Sequence, residues 1–426
     1  MVRVSGSDAL SICQAVTGRR PRPRYATLAE FRDAQGDLLD QGLVLYFAGP
    51  ASFTGEDVVE FQGHGGPVVM DLLLSAVLAQ GARLARPGEF SERAFHNDKL
   101  DLAQAEAVAD LIDSASRAAA LGAARSLSGA FSDEIHRIAQ AMLELRIYIE
   151  AAIDFPEEEV DFLAEGQVEQ RVRDLLDQLA AVQRNAQQGA LLNEGIRLAL
   201  AGRPNVGKSS LLNRLTGYDR AIVTDIAGTT RDSLAEQLTL DGIPITLVDT
   251  AGLRLTEDRV EIEGIERARL QIAQADQVLL LVDRDDPNDW AALIEEQQLP
   301  RDRLTLVRNK IDLGGEVETA VWDGLPVLPI SALTGTGIPA LIDHIKVLAG
   351  YRPAEGNFSA RRRHLTALGQ AQTHVEHGLT QLLTLGAGEL LAEDLRQAHD
   401  ALGEITGRVS ADALLGEIFS SFCIGK

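Results

Sequence analysis

Cysteine is almost absent from this chain. Cys13 and Cys423 are the two present, and they offer neither a disulfide framework nor the paired spacing of a zinc site. Aromatic residues are scarce, at 4%. No run approaches the roughly eighteen consecutive apolar residues of a membrane-spanning helix, so none is expected. Met1-Val2-Arg3-Val4-Ser5-Gly6 carries no apolar signal region, and a cytoplasmic location is the expectation. Positive charge is in deficit: 40 Lys and Arg face 63 Asp and Glu, for a net charge of −23. Tight non-specific nucleic-acid binding neutralises phosphates with Lys and Arg, so this balance argues against it. Two basic stretches, Arg19-Arg20-Pro21-Arg22-Pro23-Arg24 and Arg361-Arg362-Arg363-His364, read equally as local patches or as solvated turns. What remains, 45% hydrophobic and 24% charged over 426 residues, is the profile of a soluble globular protein of about two to four domains.

Residues 1–98 alternate short apolar runs with turn residues. Gln41–Phe47 and Asp57–Phe61 read as strands, and Pro67–Ala79 as a helix with proline in its first turn. From Lys99 to residue 190 the pattern becomes helical. Leu100, Ala103, Ala107, Val108, Leu111 and Ile112 form one apolar stripe. Phe131, Ile135, Ile138, Met142, Leu145 and Ile149 form a second, and Val168, Val172, Leu175, Leu179 and Val182 a third. Steps of three and four lay such side chains along one seam, as in a helical bundle. Between the last two lies Asp154-Phe155-Pro156-Glu157-Glu158-Glu159, which reads as a helix stop followed by a charged helix start.

Residues 191–350 switch to strands alternating with helices. Pro244–Asp249, Gln277–Asp283 and Leu304–Arg308 are unbroken apolar runs ending in polar residues, the pattern of central parallel strands. Helical stripes return in 351–426, at Leu391, Leu395, Ala398 and Leu402 and at Leu415, Ile418, Phe419 and Phe422. The economical reading is an α/β domain inserted into one helical domain.

The most informative stretch is Gly202-Arg203-Pro204-Asn205-Val206-Gly207-Lys208-Ser209, of the form G-x-x-x-x-G-K-S, between the apolar run Ile196–Ala201 and a helix start at Ser210. That context is a phosphate-binding loop: its amides and the helix N-terminus meet an anion. Lys208 would reach the β- and γ-phosphates, and the Ser209 hydroxyl would bind Mg²⁺. Downstream, Asp249-Thr250-Ala251-Gly252 follows a strand, placing Asp249 to hold Mg²⁺ through water and the Gly252 amide near the γ-phosphate. Asn309-Lys310-Ile311-Asp312 follows another strand, and its Asp312 carboxylate can accept guanine N1–H and the N2 amine, a pair adenine lacks. Ser331-Ala332-Leu333 would bring a backbone amide to guanine O6, and Gly228-Thr229-Thr230-Arg231-Asp232 would supply Thr230 as the second hydroxyl on Mg²⁺. Together these elements predict a GTPase whose nucleotide site comprises Asn205, Val206, Gly207, Lys208, Ser209, Ser210, Thr224, Thr229, Thr230, Asp249, Thr250, Ala251, Gly252, Asn309, Lys310, Asp312, Ser331, Ala332 and Leu333.

The catalytic group is less direct. Where Ras-like proteins carry the Gln that orients water, this chain has Leu253. Glu261 is the candidate to replace it, working with Lys208 and Thr230. Transition-state charge could be met by Arg231, by Arg254, or by a monovalent cation held by Asn205 and carbonyls of the first switch.

Beyond these motifs, Phe53-Thr54-Gly55-Glu56-Asp57, Gln62-Gly63-His64-Gly65-Gly66-Pro67, Arg86–Phe95, Asn97–Glu106 and Phe422-Cys423-Ile424-Gly425-Lys426 are similar to signatures of one family. Across its whole length the chain resembles the bacterial tRNA-modification GTPase family called MnmE or TrmE. The resemblance implies a multidomain α/β plus all-α protein. Its parts are an N-terminal α+β folate-binding and dimerisation domain (1–98), a discontinuous helical-bundle domain (99–190 and 351–426) and an inserted Ras-like P-loop G domain (191–350). It implies a homodimer, 5-formyl-tetrahydrofolate held by Arg3, Glu60, Lys99 and Lys426, and K⁺ held by Asn205, Thr224, Ile226 and Thr229. It makes Glu261 the residue that positions water. It also implies work with the flavoprotein MnmG on C5 of the wobble uridine (position 34) of certain tRNAs, giving an aminomethyl or carboxymethylaminomethyl group, with no membrane partner. Family members carry a Gly-rich segment ahead of the strand that begins here at Val2; its absence bears on the first strand, the dimer contact and the folate pocket. A regulatory or ribosome-assembly GTPase switch without modification chemistry, and a folate-dependent one-carbon enzyme, are the rival readings.

Overall fold

The computed structural model describes residues 1–154, 167–217, 235–249, 269–283, 290–314, 320–351, 358–408, 412–420 and 422. These residues divide into two units: residues 1–109, 126–180 and 366–426 form one, and residues 110–125 and 181–365 the other.

In the first unit, four strands with one face covered build an antiparallel sheet. Its strands are β1 (Val2–Ser5), β2 (Thr27–Arg32), β3 (Leu38–Phe47) and β4 (Val58–Gln62), all antiparallel in the order β1-β4-β3-β2. Helices α1 (Ala9–Thr17) and α2 (Pro67–Ala79) cover one face. Val4, Phe31, Val44, Val59 and Phe61 pack there against Ile12, Val16, Leu73 and Val77. The Phe31 and Phe61 rings meet edge to face, 5.7 Å apart. Helix α2 lies where the sequence places it, and β3 and β4 start within a few residues of expectation. Strand β2 buries only Ala29 and Phe31, too few positions for a strand pattern to show in the sequence.

Helices α3 (Glu89–His96), α4 (Leu102–Asp113), α5 (Arg117–Leu127), α6 (Ala130–Asp154) and α7 (Gln167–Glu194) follow. The seams expected of α6 and α7 are buried throughout. The stripe expected of α4 holds at Ala103 and Ala107, which are buried, and is corrected at its ends. Ile112 is 46% exposed, and the buried positions include Leu102, Ala105, Glu106 and Asp110. Charged residues occupy inward positions here because they have partners. The Asp110 carboxylate accepts from Arg361 at 2.6 Å and from the Ser359 hydroxyl at 2.5 Å. Residues Phe155–Glu159 lie outside the described residues.

The second unit holds a seven-stranded sheet. Its strands are β5 (Ile196–Ala201), β6 (Ala235–Leu240), β7 (Ile243–Asp249), β8 (Gln277–Asp283), β9 (Leu304–Asn309), β10 (Ala320–Trp322) and β11 (Leu325–Pro329). The order is β10-β11-β9-β8-β5-β7-β6, with β11, β9, β8, β5 and β7 parallel and both edge strands antiparallel. Two apolar layers cover it. Leu198, Leu200, Leu279 and Leu281 face α8 (Lys208–Thr216) and, further along the chain, the helix Ile338–Leu348. Ala199, Leu280 and Leu306 face Ile272 of α9 (described over 269–274) and α10 (Trp290–Glu296). Such a sheet is an open α/β fold, and its functional residues gather at the carboxyl ends of the strands. The Ile338–Leu348 helix is α11; α12 (Arg362–Leu385), α13 (Gly388–Thr406) and α14 (Asp412–Ser420) complete the chain. Within the first unit α13 packs along α6, and Phe419 of α14 packs on Phe95 and Leu102. Among the described residues no helix is long and apolar enough to cross a membrane.

Candidate nucleotide site

The loop 202–207 leaves the carboxyl end of β5, an inner strand of the sheet between β8 and β7, and turns into α8. Three of its residues have positive φ: Gly202, Asn205 and Gly207. Asn is among the few side chains that tolerate this conformation. Gly207 is required for space as well, since a Cβ there would lie 2.2 Å from Asn309 Nδ2. The Lys208 ammonium donates to the Gly202 and Arg203 carbonyls at 2.7 and 3.1 Å, so it lies over the loop. Ser209 and Ser210 are exposed in the first turn of α8, where backbone N–H groups have no acceptor within the helix.

Strand β7 runs beside β5, with Asp249 in register with Leu200. Asp249 therefore ends its strand beside the start of the loop. On the other side, β8 and β9 end on Asp283 and Asn309. Asn309 is 2% exposed and has both ends of its amide committed. Its Nδ2 donates to the Val206 carbonyl at 2.8 Å, and its Oδ1 accepts from the Ala332 N–H at 3.0 Å. One side chain thus ties the phosphate loop to the 331–333 loop. Ser331, fully buried, donates from its hydroxyl to Asp312 Oδ1 at 2.5 Å, which fixes an otherwise exposed carboxylate. Lys310, in a left-handed backbone conformation, pairs with Asp283 at 2.5 Å. The residues expected to read a guanine base and those expected to cradle its phosphates are joined by named bonds.

Two contributors lie outside the site residues expected from the sequence. Arg214, in the last turn of α8, donates from Nε to the Ala332 carbonyl at 3.0 Å and from its terminal nitrogen to the Leu333 carbonyl. Asp283 was legible only as the polar end of an apolar run. Thr224, Ile226, Thr229, Thr230, Thr250, Ala251, Gly252 and Glu261 lie outside the described residues, as do Arg231, Leu253, Arg254 and Lys426. Among the described residues no group of three or more His, Cys, Asp or Glu is placed to hold a metal. The Ser209 hydroxyl is an oxygen donor that fits a Mg²⁺ carried in with a nucleotide, and the amides of the loop suit that nucleotide's phosphates.

In the first unit, register makes Arg3 and Glu60 a cross-strand pair, and the Arg3 guanidinium donates to Glu60 Oε1 at 2.9 and 2.7 Å. Arg3 also lies over the Phe53 and Phe90 rings, 5.6 and 5.7 Å from their centroids. It lines a cavity of about 600 Å³ with Asp8, Met70, Leu74, Phe90 and Arg93. Glu60 and Lys99 do not line that cavity, and Lys99 is exposed. Glu89, also in the cavity lining, is 4% exposed and accepts from the Arg83 guanidinium, the Arg86 amide and Arg93. Arg83 above all, with the Arg86 amide and Arg93, holds this carboxyl far below its ordinary range against the cost of burial. The turn patches at Phe53–Asp57 and Arg86–Phe95 are joined here, because Arg93 also donates to Glu56 at 2.8 Å.

Within the stretch Arg361–His364, which opens α12, two of the three arginines are paired with carboxylates. Arg361 pairs with Asp110, Arg362 reaches Glu194 and Asp276 at 3.1 Å each, and His364 is 2% exposed. This corrects the patch reading for that stretch.

Residues 1–99 match the sequence family described as GTP-binding protein TrmE N-terminus, and residues 102–423 match the MnmE helical domain. A protein of Pseudomonas entomophila (strain L48), the tRNA modification GTPase MnmE, is 58% identical over 436 residues, covering 100% of this chain and 95% of its own. The protein of the same name from Ectopseudomonas mendocina (strain ymp) is 56% identical over 435 residues, with the same coverage. Among solved structures, the G domain of the T. maritima FeoB iron transporter is 28% identical, with 36% of this chain and 98% of that one covered and a TM-score of 0.27.

Proposed function

This chain belongs to the family of the tRNA modification GTPase MnmE, and from that premise we propose that its GTP hydrolysis is K⁺-activated and drives wobble-uridine modification. The protein is a GTP hydrolase. With the flavoprotein MnmG, it modifies C5 of uridine 34 of certain tRNAs to an aminomethyl or carboxymethylaminomethyl group. The observation that supports the guanine-nucleotide reading best is the double commitment of Asn309, which fixes the phosphate loop and the 331–333 loop to one another.

Each residue has a role in that reading. Amides of 205–210 take the phosphates, and Lys208 turns from the loop carbonyls to their charge. Asp312, steadied by Ser331, accepts N1–H and the N2 amine. Ser209 and Thr230 would hold a Mg²⁺ directly and Asp249 through water; such an ion would supply charge neutralisation to the phosphates. Glu261 positions the attacking water, and Thr250–Gly252 border the γ-phosphate. Asn205, with Thr224, Ile226 and Thr229, would hold K⁺, and the ion would supply the charge an arginine finger supplies elsewhere.

The domains follow as 1–98, 99–190 with 351–426, and 191–350. The first forms the homodimer and binds 5-formyl-tetrahydrofolate through Arg3, Glu60, Lys99 and Lys426, and the protein works in the cytoplasm. The test is hydrolysis of GTP and ATP by the full chain in KCl and in NaCl of equal ionic strength. GTP alone is hydrolysed, and faster in KCl. Equal rates in the two salts overturn the potassium reading, and equal use of ATP overturns the guanine one.

A further inference from the structure

We propose that the loop 19–25 of the first unit is the surface that takes the sugar-phosphate backbone of the tRNA, with Arg19, Arg20 and Arg22 on phosphates and the Tyr25 ring stacked on a base. The proposal rests on the tRNA-modification reading above and gives that substrate a place on the molecule. Of the two basic stretches in the sequence, the one at 361–364 is tied to carboxylates. The other is not. Four of the six residues 19–24 are arginine, and all four are exposed. Among the described residues no carboxylate pairs with Arg19, Arg20 or Arg22. Carboxylates are in excess, since 63 Asp and Glu face 40 Lys and Arg. Elsewhere in the same unit Arg3, Arg32, Arg83, Arg93, Arg137 and Arg396 each hold one. A cationic cluster that so acidic a chain leaves uncompensated is complementary to an external polyanion.

The backbone beneath these side chains is fixed at several points. The Arg19 N–H donates to Thr17 Oγ1 at 3.2 Å, just past the end of α1. Pro21 is buried between two exposed arginines, and its ring restricts the backbone there. Pro23 bridges to Tyr46 of β3, and the Arg24 N–H donates to the Tyr46 carbonyl at 2.7 Å. The Tyr25 N–H closes a turn on the Arg22 carbonyl at 3.2 Å. Arg24 is used in this framework, since its guanidinium donates to the Ala51 carbonyl at 2.7 Å and lies 5.9 Å from the Phe47 ring centroid. Three guanidinium groups and one ring are left on a preorganised turn, which lowers the ordering cost of binding. Guanidinium forks match phosphate oxygens. Tyr25 is 67% exposed. An exposed ring beside arginines suits unpaired RNA, whose bases stack on the ring while its backbone meets the charge. An acidic peptide would meet the charge alone.

The experiment titrates a fluorescently labelled tRNA transcript, with uridine at its wobble position, with the full chain over a series of salt concentrations. For wild type the logarithm of the affinity is expected to fall linearly with the logarithm of salt. The combined variant Arg19→Ala, Arg20→Ala, Arg22→Ala weakens binding by about tenfold or more at low salt. Its slope is shallower by about two to three, the share of three phosphate contacts. The matching combination of Arg→Lys changes keeps most of the slope, because the slope counts charge. Tyr25→Ala weakens binding by about tenfold and leaves the slope as in wild type, and Tyr25→Phe restores the affinity. Far-UV circular dichroism of every variant remains that of wild type, because these side chains are exposed. An unchanged affinity and slope in the combined alanine variant overturns the proposal. So does a combined variant that loses the flavoprotein partner and holds tRNA as wild type does, which would assign the loop to a protein partner. A wild type that binds no tRNA at low salt overturns the tRNA reading beneath it.

Discussion

Gly207→Ala tests how tightly the nucleotide site is built. The glycine has φ +102°, and an alanine Cβ would lie 2.2 Å from Asn309 Nδ2. An L-residue in the left-handed region costs about 1–2 kcal/mol on its own. Relief of the clash moves Asn309, a buried side chain that satisfies the Val206 carbonyl and the Ala332 N–H. Each buried polar group left unpaired costs about 1–3 kcal/mol. Taken together the loss is about 3–8 kcal/mol, drawn from the contacts that join the phosphate loop to the base loop. It is expected as a GDP dissociation constant raised by at least about a hundredfold, read by equilibrium titration with a fluorescent GDP. Far-UV circular dichroism remains that of wild type, because the strand cores lie away from this contact. A variant that binds GDP within about threefold of wild type would refute the argument that Asn309 cannot yield.

Three further outcomes follow from named contacts. Asp312→Asn replaces an acceptor by a donor toward the N2 position, so affinity for GDP falls by about a hundredfold or more while xanthosine diphosphate gains; nucleotide competition measures both. The Glu89 carboxyl is held down by Arg83 first, and its folded pKa lies below the unfolded one. Its stabilisation is therefore complete above about pH 4.5 and lost as pH falls below it. Thermal midpoints between about pH 3 and 7 should fall more steeply on the acid side for wild type than for Glu89→Gln. Asp110→Ala withdraws a buried carboxylate from Arg361 and Ser359 and lowers stability by about 2–4 kcal/mol in urea titration, below the full cost of breaking a buried pair because Arg361 is 23% exposed.

What was legible in the sequence was what period alone decides. The seam from Phe131 to Ile149 is buried at every position, because a long amphipathic helix has no other way to hide its apolar side. The glycine loop was legible because its backbone demands fix residue types locally: positive φ at Gly202, Asn205 and Gly207. The misses share another cause. Asp110 is inward because Arg361, 251 residues later, meets it, and nothing in the α4 pattern announces that partner. Arg214 is an ordinary basic residue at a helix end until the 331–333 loop, 118 residues away, comes under it. Strand β2 has only two buried side chains, too few for alternation to register. Pairings across such distances come from tertiary contact, which local propensity does not encode.

The central claim is that GTP turnover at this site drives modification of the wobble uridine. Its most direct test is mass spectrometry of tRNA nucleosides from cells with the gene deleted and complemented. The account predicts that the C5-modified wobble nucleoside disappears on deletion, returns with the wild-type chain, and stays absent with Gly207→Ala. Persistence of the nucleoside after deletion, or full restoration by a variant that does not bind GDP, would contradict it.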